Sequence, residues 1–200
     1  MIVLLALVAA CGGGGILPGV GSPYSSAKVG DIIQFGGLDW IVLTVENGKA
    51  LILSEKVLEE RAYHQEWRDP YITWYITWEE CSLREFLNGS FYNSTFNDQE
   101  KRLISETRLT NLGGNDTDDR VFLLSVDEVN EYMGDNAHVN MRNAKRAELL
   151  NSSWGVTSRW WLRPSPHAVI VDGDGRVLGI PITARSDSNV GVRPALWLNL

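Results

Sequence analysis

Trp160-Trp161-Leu162-Arg163 and, closing the chain, Gly191-Val192-Arg193-Pro194-Ala195-Leu196-Trp197-Leu198-Asn199-Leu200 decide how this sequence folds. Chain ends are normally polar and loose because nothing ties them down. An end this apolar and Trp-rich has to be buried, and an extended apolar segment buries best as a strand inside a sheet. Trp160, Trp161 and Trp197 are therefore read as interior scaffold. Arg163 and Arg193 stand in otherwise apolar strands. A guanidinium there needs carboxylate or carbonyl partners to offset its desolvation, so both are read as structural pairs rather than ligand contacts.

Working outward, the rest of the C-terminal third is also strand-like. Trp160 to Arg163 and Ala168 to Val171 are extended, Asp172-Gly173-Asp174-Gly175 is a tight turn into Arg176 to Ile182, and Gly191 to Leu198 is the last strand. The other β-rich region lies near the start, with strands at Asp31 to Phe35, Leu38 to Val45 and Lys49 to Ser54. Gly36-Gly37 and Asn47-Gly48 join them, both favoured two-residue hairpin turns. Short helices lie between. Thr77-Trp78-Glu79-Glu80 fits a capping box, with Leu83, Phe86 and Leu87 at helical spacing and Asn88-Gly89 as the stop. Asn97 to Glu100 and Ser125 to Glu128 open two more helices, and Ala144 to Leu150 predicts a fourth. Strands at both ends and helices between make an α+β pattern, not the alternation of a parallel sheet.

The chain has 200 residues, a net charge of −7 and a pI near 5.0. Residues 28–200 suffice for one domain with a sizeable core. The acidic balance and the lack of any basic cluster exclude nucleic acid as a partner, since phosphate binding needs a basic patch. Residues 1–11 read differently. Ile2 to Ala10 is an apolar run half as long as a membrane-spanning helix requires, as in a signal-peptide core. Leu7-Val8-Ala9-Ala10-Cys11 resembles the bacterial lipobox, which implies that a lipid on Cys11 anchors the protein to a membrane on its extracytoplasmic side. Gly-rich residues 12–27 form a flexible tether holding the domain roughly 20–25 Å from the lipid. With Cys11 acylated, Cys81 has no disulfide partner and is read as a buried thiol.

Cys81-Ser82-Leu83-Arg84-Glu85-Phe86-Leu87-Asn88, Phe91-Tyr92-Asn93, Phe96, Val121-Phe122-Leu123-Leu124-Ser125, WWLR and GVRPALWLNL follow one another in an order that resembles a bacterial family. It is the domain-of-unknown-function family six-two-seven-three, and the likeness runs from about Val29 to Leu200. That family is similar in turn to the C-type-lectin-like fold of formylglycine-generating enzymes and retroelement-diversified binding proteins. The resemblance thus implies a C-type-lectin-like α+β domain with antiparallel sheets, several short helices and a closing Gly-Val-Arg strand. Here Pro164-Ser165-Pro166 follows WWLR where the family has Ser-Pro-Gly.

The chemistry of those enzymes needs a copper-holding cysteine pair near the C-terminus, and no cysteine follows Cys81. His64, His138 and His167 lack zinc-ligand spacing, Asp172 to Gly175 offers too few oxygens for calcium, and Asp116 to Asp119 reads as a solvated acidic loop. No cofactor is expected. No catalytic constellation emerges either, and the expected function is non-catalytic recognition or display of a protein or glycan. The alternatives are an enzyme of formylglycine-generating type, an unknown hydrolase, or an inert envelope component. Candidate ligand contacts are Trp67, Tyr71, Trp74 and Tyr75, in an aromatic segment running from Tyr63 to Trp78, together with Arg185, Asp187 and Asn189 before the last strand. Aromatics on a loop suit recognition. The competing reading is satellite core.

Overall fold

The computed structural model describes residues 22–65, 76–134, 159–165, 167–179 and 190–200. Strands β1 (Ile32–Phe35), β2 (Leu38–Glu46) and β3 (Lys49–Ser54) form the expected antiparallel meander. Asn47 at φ +51° and Gly48 at φ +72° make the second turn, the left-handed geometry that an Asn-Gly pair supplies. The meander is completed by the chain's last strand, β11 (Ala195–Asn199), which pairs with β3 from Ala195↔Leu53 to Asn199↔Lys49. On its other side β11 is bridged by Ile104↔Leu198 and Phe122↔Ala195. The apolar terminus is inside, as its composition requires.

A five-stranded sheet contains β4 (Glu59–Glu60), β10 (Gly191–Val192), β7 (Trp160–Ser165), β8 (His167–Val171) and β9 (Val177–Gly179), in that order. The Asp172–Gly175 turn joins β8 to β9. Asp172 Oδ1 accepts the amides of Asp174 and Arg176 at 2.9 and 2.8 Å. Two expectations are corrected here. The segment from Gly191 to Leu198 is not one strand: Arg193-Pro194 divides it, and its halves lie in different sheets. Proline has no N–H for a ladder, so a strand switches partners there at little cost. Pairing is also not antiparallel throughout, because Gly191 bridges Trp160 in parallel.

Helices α1 (Ser82–Phe86), α2 (Tyr92–Thr95), α3 (Asp98–Leu103) and α4 (Val126–Met133) lie between the β-rich ends. Both later capping boxes are formed, at Asn97–Glu100 and Ser125–Glu128. The first is not. Helix α1 is capped by Cys81 instead, whose sulfur accepts the Arg84 amide at 3.4 Å, because the buried Trp78 indole is held by Asp119 in the turn before it. Asn88-Gly89 does not stop the helix either. The chain continues through a π turn (Leu87–Phe91) into α2. Asn88 Nδ2 donates to Val121 O, and its Oδ1 accepts from the Arg120 and Val121 amides, so tertiary bonds replace the cap. The predicted helix at Ala144 to Leu150 lies outside the described residues.

A short antiparallel pair, β5 (Thr107–Leu109) and β6 (Thr117–Asp119), which the sequence pattern does not predict, follows α3. Asp116 to Asp119 is therefore mostly strand rather than solvated loop. The chain is also already docked before Lys28. Ser22 Oγ donates to Asn199 O at 3.2 Å, and the Tyr24 ring meets Phe35 edge-on at 5.6 Å. The core is continuous from Trp40 and Leu51 through Leu83 and Phe122 to Trp160, Trp161 and Leu196. The result is α+β, dominated by sheet, and no helix among the described residues is long and apolar enough to cross a membrane.

Candidate functional site

Trp67, Tyr71, Trp74, Tyr75, Arg185, Asp187 and Asn189 lie outside the described residues, as do Cys11 and His138. The Arg61 amide donates to Val190 O at 3.1 Å, just beyond the β4–β10 pairing of Glu60↔Gly191. The two segments carrying the candidate contacts thus adjoin strands that share one ladder. At the ends of the aromatic segment, Tyr63 and Trp78 are buried core residues, 6.5 Å apart between ring centroids. For these two, the satellite-core reading is the one that holds.

The residues read as scaffold are buried to different degrees. Trp160 and Trp161 are fully buried, and the Trp161 indole donates to Arg61 O at 2.8 Å. Trp197 is only half-buried, with its carbonyl accepting the Ser105 amide at 2.8 Å. The buried Arg193 donates from Nε to Ser54 O at 2.8 Å, and its guanidinium stands 5.1 Å from the centre of the Trp160 ring. Burial lowers its pKa from 12.5 to about 9, opposed by Glu55, which leaves it charged at neutral pH.

Arg163 is held differently. Its Nη2 bonds Glu128 Oε2 at 2.7 Å, and that same oxygen accepts the Ser125 amide at 2.6 Å in the α4 cap. Alternation along β7 puts Arg163 on the face of Trp161, and Tyr63 packs on Trp161 with centroids 5.5 Å apart. Tyr63, Arg163 and Glu128 therefore converge at the end of the five-stranded sheet. Sequence reasoning treated them separately, as an aromatic, a strand cation and a capping residue. Only the topology joins them.

Near this convergence are groups that chemistry elsewhere uses. Cys81 is buried, and burial pushes its thiol up to about 11, so it is a poor nucleophile. His64 is buried, and its Nδ1 accepts the Ser82 amide at 3.3 Å, across the start of α1. Asp119 has a fully buried side chain and accepts from Arg84 Nε at 2.7 Å, from Trp78 Nε1 and Thr117 Oγ1 at 2.8 Å, and from Asn88 Nδ2 at 3.3 Å. These bonds make Asp119 the organising anion of the helical region. The signal for it was the alternation Thr117-Asp118-Asp119, buried, exposed, buried, which only a strand reading of that acidic run would expose.

No curated protein and no solved structure matches the chain. The family model described as a domain of unknown function (DUF6273) matches residues 47–200, starting at the turn into β3 and running through β11. That is more than half of the sequence, and the chain belongs to the DUF6273 family.

Proposed function

We propose that this protein is a non-catalytic recognition or display domain of C-type-lectin-like type, held on the extracytoplasmic face of a membrane by a lipid on Cys11, with a protein or glycan as ligand. The observation that carries the reading is the Arg61–Val190 hydrogen bond. It joins Arg61, which precedes the aromatic candidate segment in the chain, to Val190, which follows the polar one. Recognition sites are commonly built on segments presented by a rigid scaffold. The C-type-lectin-like assignment is supported by the closing strand, which follows Gly191-Val192-Arg193 and returns beside the opening meander as the β3–β11 pair.

The binding arm is tested by a glycan array and a surface-proteome pulldown with the full chain. A saturable ligand lost on combined Trp67→Ala and Trp74→Ala substitution is the expected result. Sustained turnover in ester, peptide and glycoside libraries would contradict it. The anchor is tested by fractionation, in which Cys11→Ser should move the protein from membrane to soluble fractions. Continued membrane association of that variant would refute the anchor.

A further inference from the structure

Asn-Gly occurs twice in the chain, at Asn47-Gly48 and Asn88-Gly89. In such a pair the Asn carboxamide stands next to the following backbone nitrogen, and glycine, lacking a Cβ, hinders that nitrogen least. The structure treats the two pairs differently. Asn88 is fastened at both ends of its amide. Its Nδ2 donates to Val121 O at 2.9 Å and to Arg84 O and Asp119 Oδ1 at 3.3 Å, and its Oδ1 accepts the Arg120 and Val121 amides at 2.8 and 3.2 Å. Its backbone is held inside the π turn as well. Asn47 is exposed at the tip of the β2–β3 hairpin, and its carboxamide has no hydrogen-bond partner among the described residues. The Gly48 N–H has none there either, and beyond the chain neighbours no atom lies within 4 Å of where a Gly48 Cβ would stand.

That combination leaves Asn47 Cγ open to the Gly48 nitrogen. Attack forms the N–Cγ bond and breaks the Cγ–Nδ2 bond, the Gly48 proton departs with Nδ2 as ammonia, and a succinimide ring remains. Water then opens the ring. Addition at Cγ gives aspartate, and addition at the main-chain carbonyl carbon gives isoaspartate, whose Cβ has entered the backbone. Nothing is oxidised or reduced, and water is the one co-reactant. The folded turn slows the reaction, because φ +51° at Asn47 and the Glu46↔Lys49 pairing restrain the rotation that closes the ring. Local opening sets the rate, and an exposed tip opens far more readily than a bonded π turn. The turn has a passenger: Gly48 O accepts the Leu200 amide at 2.9 Å, just past the Asn199↔Lys49 pair. An isoaspartyl linkage lengthens the turn by one backbone carbon, which destroys the left-handed geometry that aims this carbonyl.

We propose that Asn47 is a self-modification site, whose deamidation to isoaspartate releases Leu200 from the Gly48 carbonyl, while the bonds around Asn88 protect the second Asn-Gly pair. The test incubates the full chain in detergent at mildly alkaline pH and follows both pairs by peptide mass spectrometry, with an isoaspartate-specific methyltransferase to identify the product. A parallel sample is held in denaturant. In the native protein Asn47 should convert at least about tenfold faster than Asn88, the factor set by one or two extra hydrogen bonds that must open. In denaturant the two should convert alike. Asn47→Gly, which keeps the left-handed turn and lacks the carboxamide, should show no conversion there. Exchange of the Leu200 amide should be several-fold faster in the isoaspartyl protein and unchanged in freshly prepared Asn47→Asp, which carries the charge without the longer backbone. Native Asn88 converting as fast as Asn47 overturns the protection. Asn47 left intact in native protein after its denatured counterpart has converted overturns the site, and unaltered Leu200 exchange in the isoaspartyl form overturns the release.

Discussion

The Arg193 guanidinium lies 5.1 Å from the centre of the Trp160 ring, and its Nε bonds the Ser54 carbonyl at 2.8 Å. Trp160 belongs to the WWLR stretch, Arg193 to the closing GVRPALWLNL stretch, and Ser54 ends the opening meander. The contact therefore joins the sheets at the point where the closing segment passes from one to the other. It gives the two sequence stretches a shared physical purpose.

Arg193→Ala should cost about 2–4 kcal/mol, because it removes a buried donor to two backbone carbonyls and a ring contact at once. For a domain of this size Tm would fall by about 5–15 °C. Arg193→Lys should lose less, since it keeps the charge but not the planar fork. Calorimetry of the three proteins checks this, and unchanged melting in Arg193→Ala with lost ligand binding would reassign the residue to recognition.

Asp119→Ala should cost about 3–5 kcal/mol, leaving Arg84 and the Trp78 indole without their acceptor. Asp119→Asn, which keeps one carbonyl oxygen, should cost clearly less. Denaturant unfolding of both variants separates the outcomes. Equal losses would show that shape, not acceptor capacity, is what the position supplies.

Gly191 leaves no room for a side chain. A Cβ there would stand 2.2 Å from Val57 Cγ1 and 3.0 Å from the Arg159 carbonyl oxygen. Gly191→Ala should destabilise by about 1–3 kcal/mol through overpacking. Adding Val57→Ala relieves the side-chain clash but not the backbone one, so the double variant should lose less than the sum of the singles. Strict additivity in unfolding experiments would contradict the clash.

Alkaline stability depends on Cys81. Burial raises its thiol from 9.0 to about 11, so the folded protein keeps a proton that the unfolded chain releases. The resulting stabilisation is fully present below pH 9 and is lost as pH rises through 11, at most about 2–3 kcal/mol. Cys81→Ala should show a shallower fall over that window than the native protein. Parallel stability–pH profiles would place the thiol elsewhere than in the core.

What the sequence made legible was local. Asn47-Gly48 needs only its own backbone preference to turn a hairpin, and the Asn97 and Ser125 boxes need only side chains three residues apart. The misreadings share the opposite cause. The Thr77 box lost to an indole–carboxylate bond formed with Asp119, far along the chain. Asn88-Gly89 failed as a stop because the Asn88 amide is bonded to the Arg120–Val121 backbone. The break at Arg193-Pro194 follows from which sheet each half can reach. The Tyr63–Arg163–Glu128 convergence was illegible for the same reason, since its members come from separate parts of the fold. Arg163 meets Glu128 and Arg193 meets the Ser54 and Glu55 carbonyls, and nothing short of the topology names those partners.

Hydrogen exchange at the Leu196 and Leu198 amides tests the central claim, that the terminus is an interior strand. Ala195 exchanges both backbone bonds with Phe122, so the amides of Leu196 and Leu198 face β3 at Ile52 and Ala50. They should be among the slowest to exchange in the protein, opening only with global unfolding. Exchange of both within seconds, in protein that still unfolds cooperatively, would contradict the account.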